Sequence, residues 1–194
     1  MGAKSTKRRP VDKASNNRWQ TILIGGAIVI GVVALGVLLY LSLKEPETLD
    51  GLTRSIGLSR GHDESVDYSG SELPPTGGIH SGIWQNCGIY DEPLLAKNAV
   101  HSMEHGAVWI TYQPDLSAED VEELQKEVRG NPYTLLSPYP DLKSPVVLTA
   151  WGIQLELESA EDDRISDFID RYQVGPQTPE RGATCENGTG TPIG

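Results

Sequence analysis

Sulfur-containing residues and common active-site motifs are scarce in this sequence, and the shortage excludes several kinds of chemistry. The 194 residues contain two cysteines, two methionines and one phenylalanine. There is no Cys-x-x-Cys pair, so a thioredoxin-like redox motif is excluded. The P-loop and the G-x-G-x-x-G fingerprint are also missing. The sequence therefore predicts no common nucleotide site.

Positive charge is short over most of the chain. The net charge is −11, from 16 basic and 27 acidic residues. Residues 1–20 have six basic side chains and one acidic side chain, a charge of +5. Removing this from the total of −11 leaves −16 on residues 21–194. Because so acidic a protein repels nucleic acid, nucleic acid is not an expected partner.

One long stretch lacks charge altogether. Residues 21–43 are 23 consecutive positions without a charged side chain. A helix of this length, rising 1.5 Å per residue, would be about 34 Å long and could cross a hydrocarbon core of ~30 Å. We therefore predict a single transmembrane helix at residues 21–43, with the lipid bilayer as its partner.

The charges that flank this helix predict its orientation. The preceding residues are basic, whereas Glu45, Glu47 and Asp50 follow it. The positive-inside rule then predicts a cytoplasmic N-terminus and an extracytoplasmic C-terminal domain at the cell (plasma) membrane. A cleaved signal peptide is the competing interpretation, but its apolar core is usually shorter and ends at a small-residue cleavage site. Residues 39–48 show no such site, which favours an uncleaved anchor.

The remaining sequence divides by composition. Residues 1–20 are predicted to form a cytoplasmic basic tail. Residues 44–72 are rich in glycine, serine and acidic residues and predict a flexible spacer, in which His62 would be solvated. Residues 73–185 contain enough valine, leucine, isoleucine and aromatic residues for one core, the extracytoplasmic domain. Residues 186–194 are predicted to be a disordered tail.

The hydrophobic pattern of this domain predicts an α+β fold. Helices are expected after Asp91-Glu92-Pro93 as far as Gly106, from Ser117 to Gly130 and from Ser159 to Tyr172, with strands at residues 107–112, 133–137 and 145–158. The economical packing is a small antiparallel sheet with the helices on one face. This order resembles the split βαβ plan of ferredoxin-like folds, although a closing fourth strand is not visible.

Cys87 and Cys185 both follow the predicted anchor and would lie in an oxidising compartment. An even cysteine count there favours one disulfide, which would contribute about 4–5 kcal/mol in the chain-entropy model. The alternative is a thiolate metal ligand at Cys87, which lies between His80 and His101 in sequence. The disulfide is the preferred prediction, because the C-terminal segment has little else to hold it in place.

Three of the four histidines lie in two short motifs, PPTGGIH and HSMEHG. In a helix, His101 and His105 are four residues apart and point the same way, a spacing that suits two ligands of one metal ion. Glu104 is turned partly towards the same side. The Pro- and Gly-containing loop could bring His80 to them as a third imidazole. This set predicts a site for zinc or copper.

Three alternatives to this interpretation stay open. If residues 100–112 formed one strand, His101, Met103 and His105 would share a face and favour copper; in the preferred helix, Met103 belongs to the core. H-x-x-E-H is also the inverzincin signature, with Glu104 as general base, but about 110 patterned residues leave little room for such an enzyme. Finally, the histidines could be buried structural residues that bond to the Pro/Gly loop.

The motifs PPTGGIHSGIWQNCGIYDEPL, VHSMEHGAVWITY, PYP and PVVLTAWG, in this order, resemble one bacterial family, domain of unknown function 3105. Members typically have one membrane anchor and an exported domain, and the resemblance covers about residues 73–185. It implies the same topology and places His80, His101, Glu104 and His105 at motif positions without giving them a role. Gly78 departs from the residue that many relatives carry.

The sequence as a whole predicts a membrane-anchored extracytoplasmic protein that binds zinc or copper. The ligands would be His80, His101 and His105, with Glu104 as a fourth ligand or a supporting carboxylate. A metal-free interaction module or accessory subunit of a membrane protein complex is the alternative function. A small zinc-dependent hydrolase is the third, and an enzyme is not the favoured interpretation.

Overall fold

The computed structural model of the chain describes residues 2, 14–43 and 49–193. The chain divides into two compact units, residues 1–48 and residues 49–194. Most of the predicted basic tail, and residues 44–48 of the predicted spacer, lie outside the described residues.

The first unit contains one long helix, α1, at Ala14–Leu43. Within it, Trp19–Tyr40 is a 22-residue stretch that is long and apolar enough to cross a membrane. An N-terminal signal sequence would have the same length and composition. The helix at the predicted position is therefore present, and its orientation remains a prediction.

The second unit consists of six strands and three helices. In chain order they are β1 Thr53–Arg54, β2 Gly88–Ile89, α2 Ala96–His105, β3 Val108–Tyr112, α3 Ala118–Val128, β4 Thr134–Pro138, β5 Val146–Ala150, β6 Ile153–Leu157 and α4 Arg164–Tyr172. The strands form one sheet in the order β1-β6-β5-β3-β4-β2. The predicted α+β class is confirmed.

The sheet is mixed, whereas the sequence predicts an antiparallel one. Strand β3 is antiparallel to β5 but parallel to β4, and β2 is also parallel to β4. Since β3 and β4 are joined through α3 and pair directly, no strand is inserted between them as it is in a split βαβ unit. The ferredoxin-like arrangement therefore does not apply to this pair.

Apolar side chains pack on both faces of the sheet. One cluster joins Val108 and Ile110 of β3 to residues of α3 and α4. The other joins Trp109 of β3 to Val100 and Met103 of α2. A strand that is apolar on both sides needs cover on both sides. Helix α2 therefore lies on the face opposite α3 and α4, and the prediction of all helices on one face is wrong for α2.

The single strand predicted at residues 145–158 is two strands, β5 and β6, paired as an antiparallel hairpin. The chain reverses at Trp151 and Gly152, and Gly152 has a φ of +72°. A left-handed conformation of this kind is easily adopted only by glycine. The hydrophobic pattern runs through this turn without a break, which is why the sequence predicts one long strand.

The predicted helix starts are correct for α3 but not for the others. Ser117 caps α3 by accepting a hydrogen bond from the Asp120 N–H at 3.1 Å. Helix α2 begins at Ala96 rather than Pro93, because the backbone of Leu95 is still extended. Helix α4 begins at Arg164, after a turn that includes Ser159.

The structure places residues 49–72 in the second compact unit, where the sequence predicts a flexible spacer. Strand β1 pairs with β6, and His62 forms a parallel bridge with His80. The end of the chain is also bonded, since the Thr189 N–H donates to the Trp84 carbonyl at 2.9 Å. These contacts are between backbone groups far apart in sequence, so composition does not reveal them.

Cys87 and Cys185 lie at disulfide distance, with their Cα atoms 5.4 Å apart. The Cys87 N–H also donates to the Cys185 carbonyl at 2.9 Å. This pair joins the segment before β2 to the C-terminal segment, as the sequence predicts.

We expect Gly152→Ala to destabilise the second unit more than Gly130→Ala. Both glycines have positive φ, +72° and +80°, so each alanine costs about 1–2 kcal/mol of backbone strain. At Gly152 a Cβ would also lie 2.9 Å from the Ser55 carbonyl oxygen, whereas Gly130 has open space. The steric conflict should cost a further ~1–3 kcal/mol. Urea unfolding of the full chain in detergent, followed by tryptophan fluorescence, measures both, and equal losses would contradict the hairpin geometry.

Loss of the cysteine pair should lower stability strongly. We expect Cys87→Ser with Cys185→Ser to reduce the free energy of unfolding by about 2–5 kcal/mol, because a cross-link over 98 residues restricts the unfolded chain. Reductant should destabilise the natural chain by a similar amount and leave the double variant unchanged. A natural chain whose urea midpoint does not respond to reductant would show that the two thiols are not bonded.

Candidate metal centre

Helix α2 forms the centre of the site because it is covered on all sides. Its residues 98–105 are all buried. Val100 and Met103 pack against the sheet. His101 and Glu104 instead contact the loop segments that cover the outer surface of the helix. A helix that is apolar only on its sheet-facing side thus has polar side chains enclosed on its other side.

Four side chains converge there: those of His62, His80, His101 and Glu104. One possible ligand atom from each lies within 4.8 Å of the corresponding atoms of the other three. We call this group the His/Glu cluster. His80, His101 and Glu104 are buried, whereas the side chain of His62 is 48% exposed. The three imidazole ring centres are 4.7 to 4.9 Å apart.

Backbone pairing holds the two loop histidines together. The His80 N–H donates to the Gly61 carbonyl at 3.0 Å, and the Asp63 N–H donates to the His80 carbonyl at 2.8 Å. The Glu64 carboxylate then accepts from the Gly82 N–H at 2.7 Å. The segment that carries His62 is therefore fixed to the segment that carries His80.

Each buried histidine directs its Nδ1 atom at a backbone carbonyl. The Nδ1–oxygen distances are 2.7 Å from His80 to Gly78, 2.7 Å from His101 to Ser81 and 2.6 Å from His105 to Thr184. A carbonyl oxygen only accepts, so Nδ1 must hold the hydrogen in these bonds. In the neutral ring the lone pair is then on Nε2. This second-sphere contact is the one that metal-binding histidines usually make.

His80 Nε2 and Glu104 Oε2 are 2.9 Å apart. Both atoms are buried, and neither has a hydrogen-bond partner within the described part of the chain. Since Nδ1 of His80 holds the ring hydrogen, Nε2 of His80 and Oε2 of Glu104 approach each other with a lone pair on each atom. A cation shared between them, either a proton or a metal ion, would remove the repulsion. Two ligands of a tetrahedral zinc ion with bonds near 2.0–2.1 Å are separated by about 3.3 Å, close to the distance here.

The pKa of His101 is lowered from 6.5 to about 4, and burial is the largest cause. The nearby rings of His105, His80 and His62 contribute to this lowering, and the bond to the Ser81 carbonyl opposes it. His101 is therefore a neutral imidazole at neutral pH. A metal ion binds this form, because its Nε2 lone pair is free.

The structure brings three of the four predicted ligands into the His/Glu cluster and leaves His105 beside it. The His105 ring is 4.6 Å from the His101 ring, but its Nε2 faces Glu180 Oε2 at 3.7 Å. The third histidine of the cluster is His62 instead of His105. The sequence missed His62 because no local pattern surrounds it; its rarity, as one of four histidines, is the signal that could have drawn attention to it.

Sulfur does not contribute to this cluster. Met103 is fully buried among the apolar residues between α2 and the sheet. Cys87 is at disulfide distance from Cys185 and is not part of the cluster. The extended-strand arrangement that would place Met103 beside His101 does not occur, because residues 96–105 are helical.

Three imidazoles and one carboxylate form a donor set that suits a divalent transition metal. Glu104 Oε2 lies 2.9 Å from His80 Nε2 and 3.7 Å from His62 Nε2, so its carboxylate could serve as one of the ligands. The inverzincin mechanism needs this carboxylate as a base beside the metal-bound water. His105, the second histidine of H-x-x-E-H, lies outside the cluster, so the inverzincin arrangement does not match this geometry.

Comparison with known proteins identifies one family. Its description is protein of unknown function (DUF3105), and it matches residues 60–187. No curated protein and no solved structure matches the chain. The matched residues begin before His62 and include the whole His/Glu cluster. Because they make up more than half of the 194 residues, this chain belongs to the DUF3105 family.

Proposed function

We propose that this protein binds one divalent transition-metal ion, zinc(II) or copper(II), at the outer surface of the cell membrane. The ligands are Nε2 of His62, His80 and His101 and the carboxylate of Glu104. This set replaces His105 of the sequence-based prediction with His62. The function is metal handling rather than catalysis.

The observation that supports this most strongly is the pair formed by His80 Nε2 and Glu104 Oε2. Two buried acceptor atoms 2.9 Å apart, without hydrogen bonds from the described residues, are costly in a folded protein. Because both atoms carry lone pairs, a cation bound between them would remove this cost. His62 and His101 have ring nitrogens close enough to share the cation.

The donor atoms favour zinc(II) or copper(II) over copper(I). Copper(I) prefers soft thiolate and thioether ligands. The His/Glu cluster has nitrogen and oxygen donors only, since Met103 and the two cysteines lie outside it.

Helix α1 and its flanking charge support the proposed location. Trp19–Tyr40 is long enough to span the bilayer, and the six basic residues of the N-terminal tail favour the cytoplasmic side. The Cys87–Cys185 pair is also consistent with an oxidising compartment.

A protein partner is the second candidate function. A groove of about 550 Å³ lies between residues 64–71, residues 93–97 and residues 139–141. Leu95, at the start of α2, is exposed beside it. A subunit of a membrane complex could insert an apolar side chain there, and this function would not require a metal ion.

Elemental analysis of the purified full chain in detergent tests the metal proposal. We expect about one zinc or copper ion per chain. His80→Ala and His101→Ala should each lower affinity more than ~100-fold, because loss of even an outer partner of a ligand costs about 10–100-fold. His105→Gln is the matched control, since this buried histidine lies outside the His/Glu cluster.

Circular dichroism of each variant separates loss of the ion from loss of the fold. Retention of the ion by His101→Ala together with its loss from His105→Gln would reject the ligand set. Folded natural protein that binds neither ion would reject metal binding and favour the partner-binding function.

The proposed anchor at α1, with residues 49–194 outside the cell, predicts two results in intact cells. The chain should stay in the membrane fraction after alkaline washing, because the predicted anchor is not removed. External protease should digest residues 49–194 and spare an epitope tag at the N-terminus. A mature protein whose sequence begins after residue 43 would show instead that α1 is a cleaved signal sequence.

A further inference from the structure

We propose that His62 is a displaceable ligand, through which the bound ion is exchanged with water or with an incoming ligand of another metal carrier. This inference rests on the proposed function. It makes the ion a cargo that the protein takes up and gives up, rather than a permanent part of the fold.

The cluster is asymmetric in its exposure to solvent. The side chains of His80 and Glu104 are 0% and 2% exposed, and His101 is also buried, whereas the side chain of His62 is 48% exposed. A ligand from solvent therefore reaches an ion in the cluster from the side of His62. The other three ligands lie behind it.

The four ligands also differ in how firmly they are held. The rings of His80 and His101 are each fixed by a carbonyl oxygen at 2.7 Å from Nδ1. The His62 ring lies parallel to the His101 ring at 4.9 Å and its Nε2 is 3.7 Å from Glu104. Among the described residues, no hydrogen bond holds either nitrogen of His62.

Displacement of His62 needs only rotation of its side chain. The neighbouring backbone is fixed to His80 by the hydrogen bonds of Gly61 and Asp63, so the loop stays in place. Side-chain rotation of an exposed residue takes picoseconds to nanoseconds. One metal–nitrogen bond then breaks, and a bond to water or to the incoming donor forms, with no change in the oxidation state of the ion.

The three ligands that remain form an open site. Two imidazoles and one carboxylate, from His80, His101 and Glu104, are the set that holds zinc in several enzymes with a water molecule in the fourth position. Such a set keeps an ion while the fourth ligand changes. The ion can therefore pass to another carrier by replacement of one ligand at a time.

The fold does not depend on an ion for its core. The second unit has an apolar cluster on each face of the sheet and a cysteine pair at disulfide distance. Domains that need a structural metal usually lack such a core and unfold without the ion. An exchangeable ion is therefore compatible with a stable apoprotein.

The test is the release of zinc(II) from the loaded full chain in detergent into excess chelator, measured by stopped flow. We expect His62→Ala to bind one equivalent and to release it at least about 10-fold faster than the natural chain. Asp67→Asn is the matched control, because this exposed carboxylate lies on the same segment and accepts hydrogen bonds from Ser69 rather than contacting the cluster. It should release zinc at the natural rate.

Free imidazole provides a second measurement that loosening of the loop would not affect. It should occupy the open position of His62→Ala and slow release towards the natural rate, and leave Asp67→Asn unchanged. Cobalt(II) in place of zinc should change its visible spectrum at a lower azide concentration in His62→Ala than in the natural chain, where azide must first displace His62.

The possible failures can be told apart. Natural protein that binds no zinc or cobalt rejects the proposed function itself. If the natural protein binds zinc, an unchanged release rate in His62→Ala shows that His62 is not a ligand. Complete loss of zinc from His62→Ala shows that His62 is essential to binding. Either result rejects displacement and leaves metal binding in place.

Discussion

Helix α2 is covered by the sheet on one side and by loops on the other, so its polar side chains lie in the protein interior. Buried imidazoles and carboxylates destabilise a protein unless they are hydrogen-bonded or bind an ion. The carbonyls of Gly78 and Ser81 satisfy one nitrogen of His80 and of His101. The second nitrogens and Glu104 are left facing one another. Burial of one short helix thus determines both the packing of the loops and the chemistry of the site.

The features that were predicted correctly depend on residues close together in sequence. The 3.6-residue period places His101 and Glu104 on the same side of α2, and the serine cap at Ser117 identifies the start of α3. The presence of an apolar helix near the N-terminus also follows from composition alone. In each case the physical interaction acts within one or two helical turns, so it is visible in a short window of sequence.

The features that were missed depend on pairing between distant segments. His62 reaches the His/Glu cluster through a backbone bridge to His80, and backbone hydrogen bonding is nearly independent of side-chain identity. A Gly/Ser-rich segment therefore has the composition of a spacer, whether or not its backbone pairs with another segment. The position of α2 follows from β3, where Trp109 faces away from Val108 and Ile110. A run of apolar residues shows that a strand is buried, but not which helix covers each side.

If α1 anchors the chain in a membrane, as we propose, the short strand β1 has a mechanical consequence. Thr53–Arg54 lies between α1 and His62 in the chain and is hydrogen-bonded along β6 at the edge of the sheet. Arg164 also donates to the Asp50 carbonyl at 3.0 Å, just before this strand. A pulling force from such an anchor would have to break these bonds before it reached the rest of the sheet. Tension from the anchor would reach His62 only after β1 had separated from the sheet, so the His/Glu cluster would be protected from it.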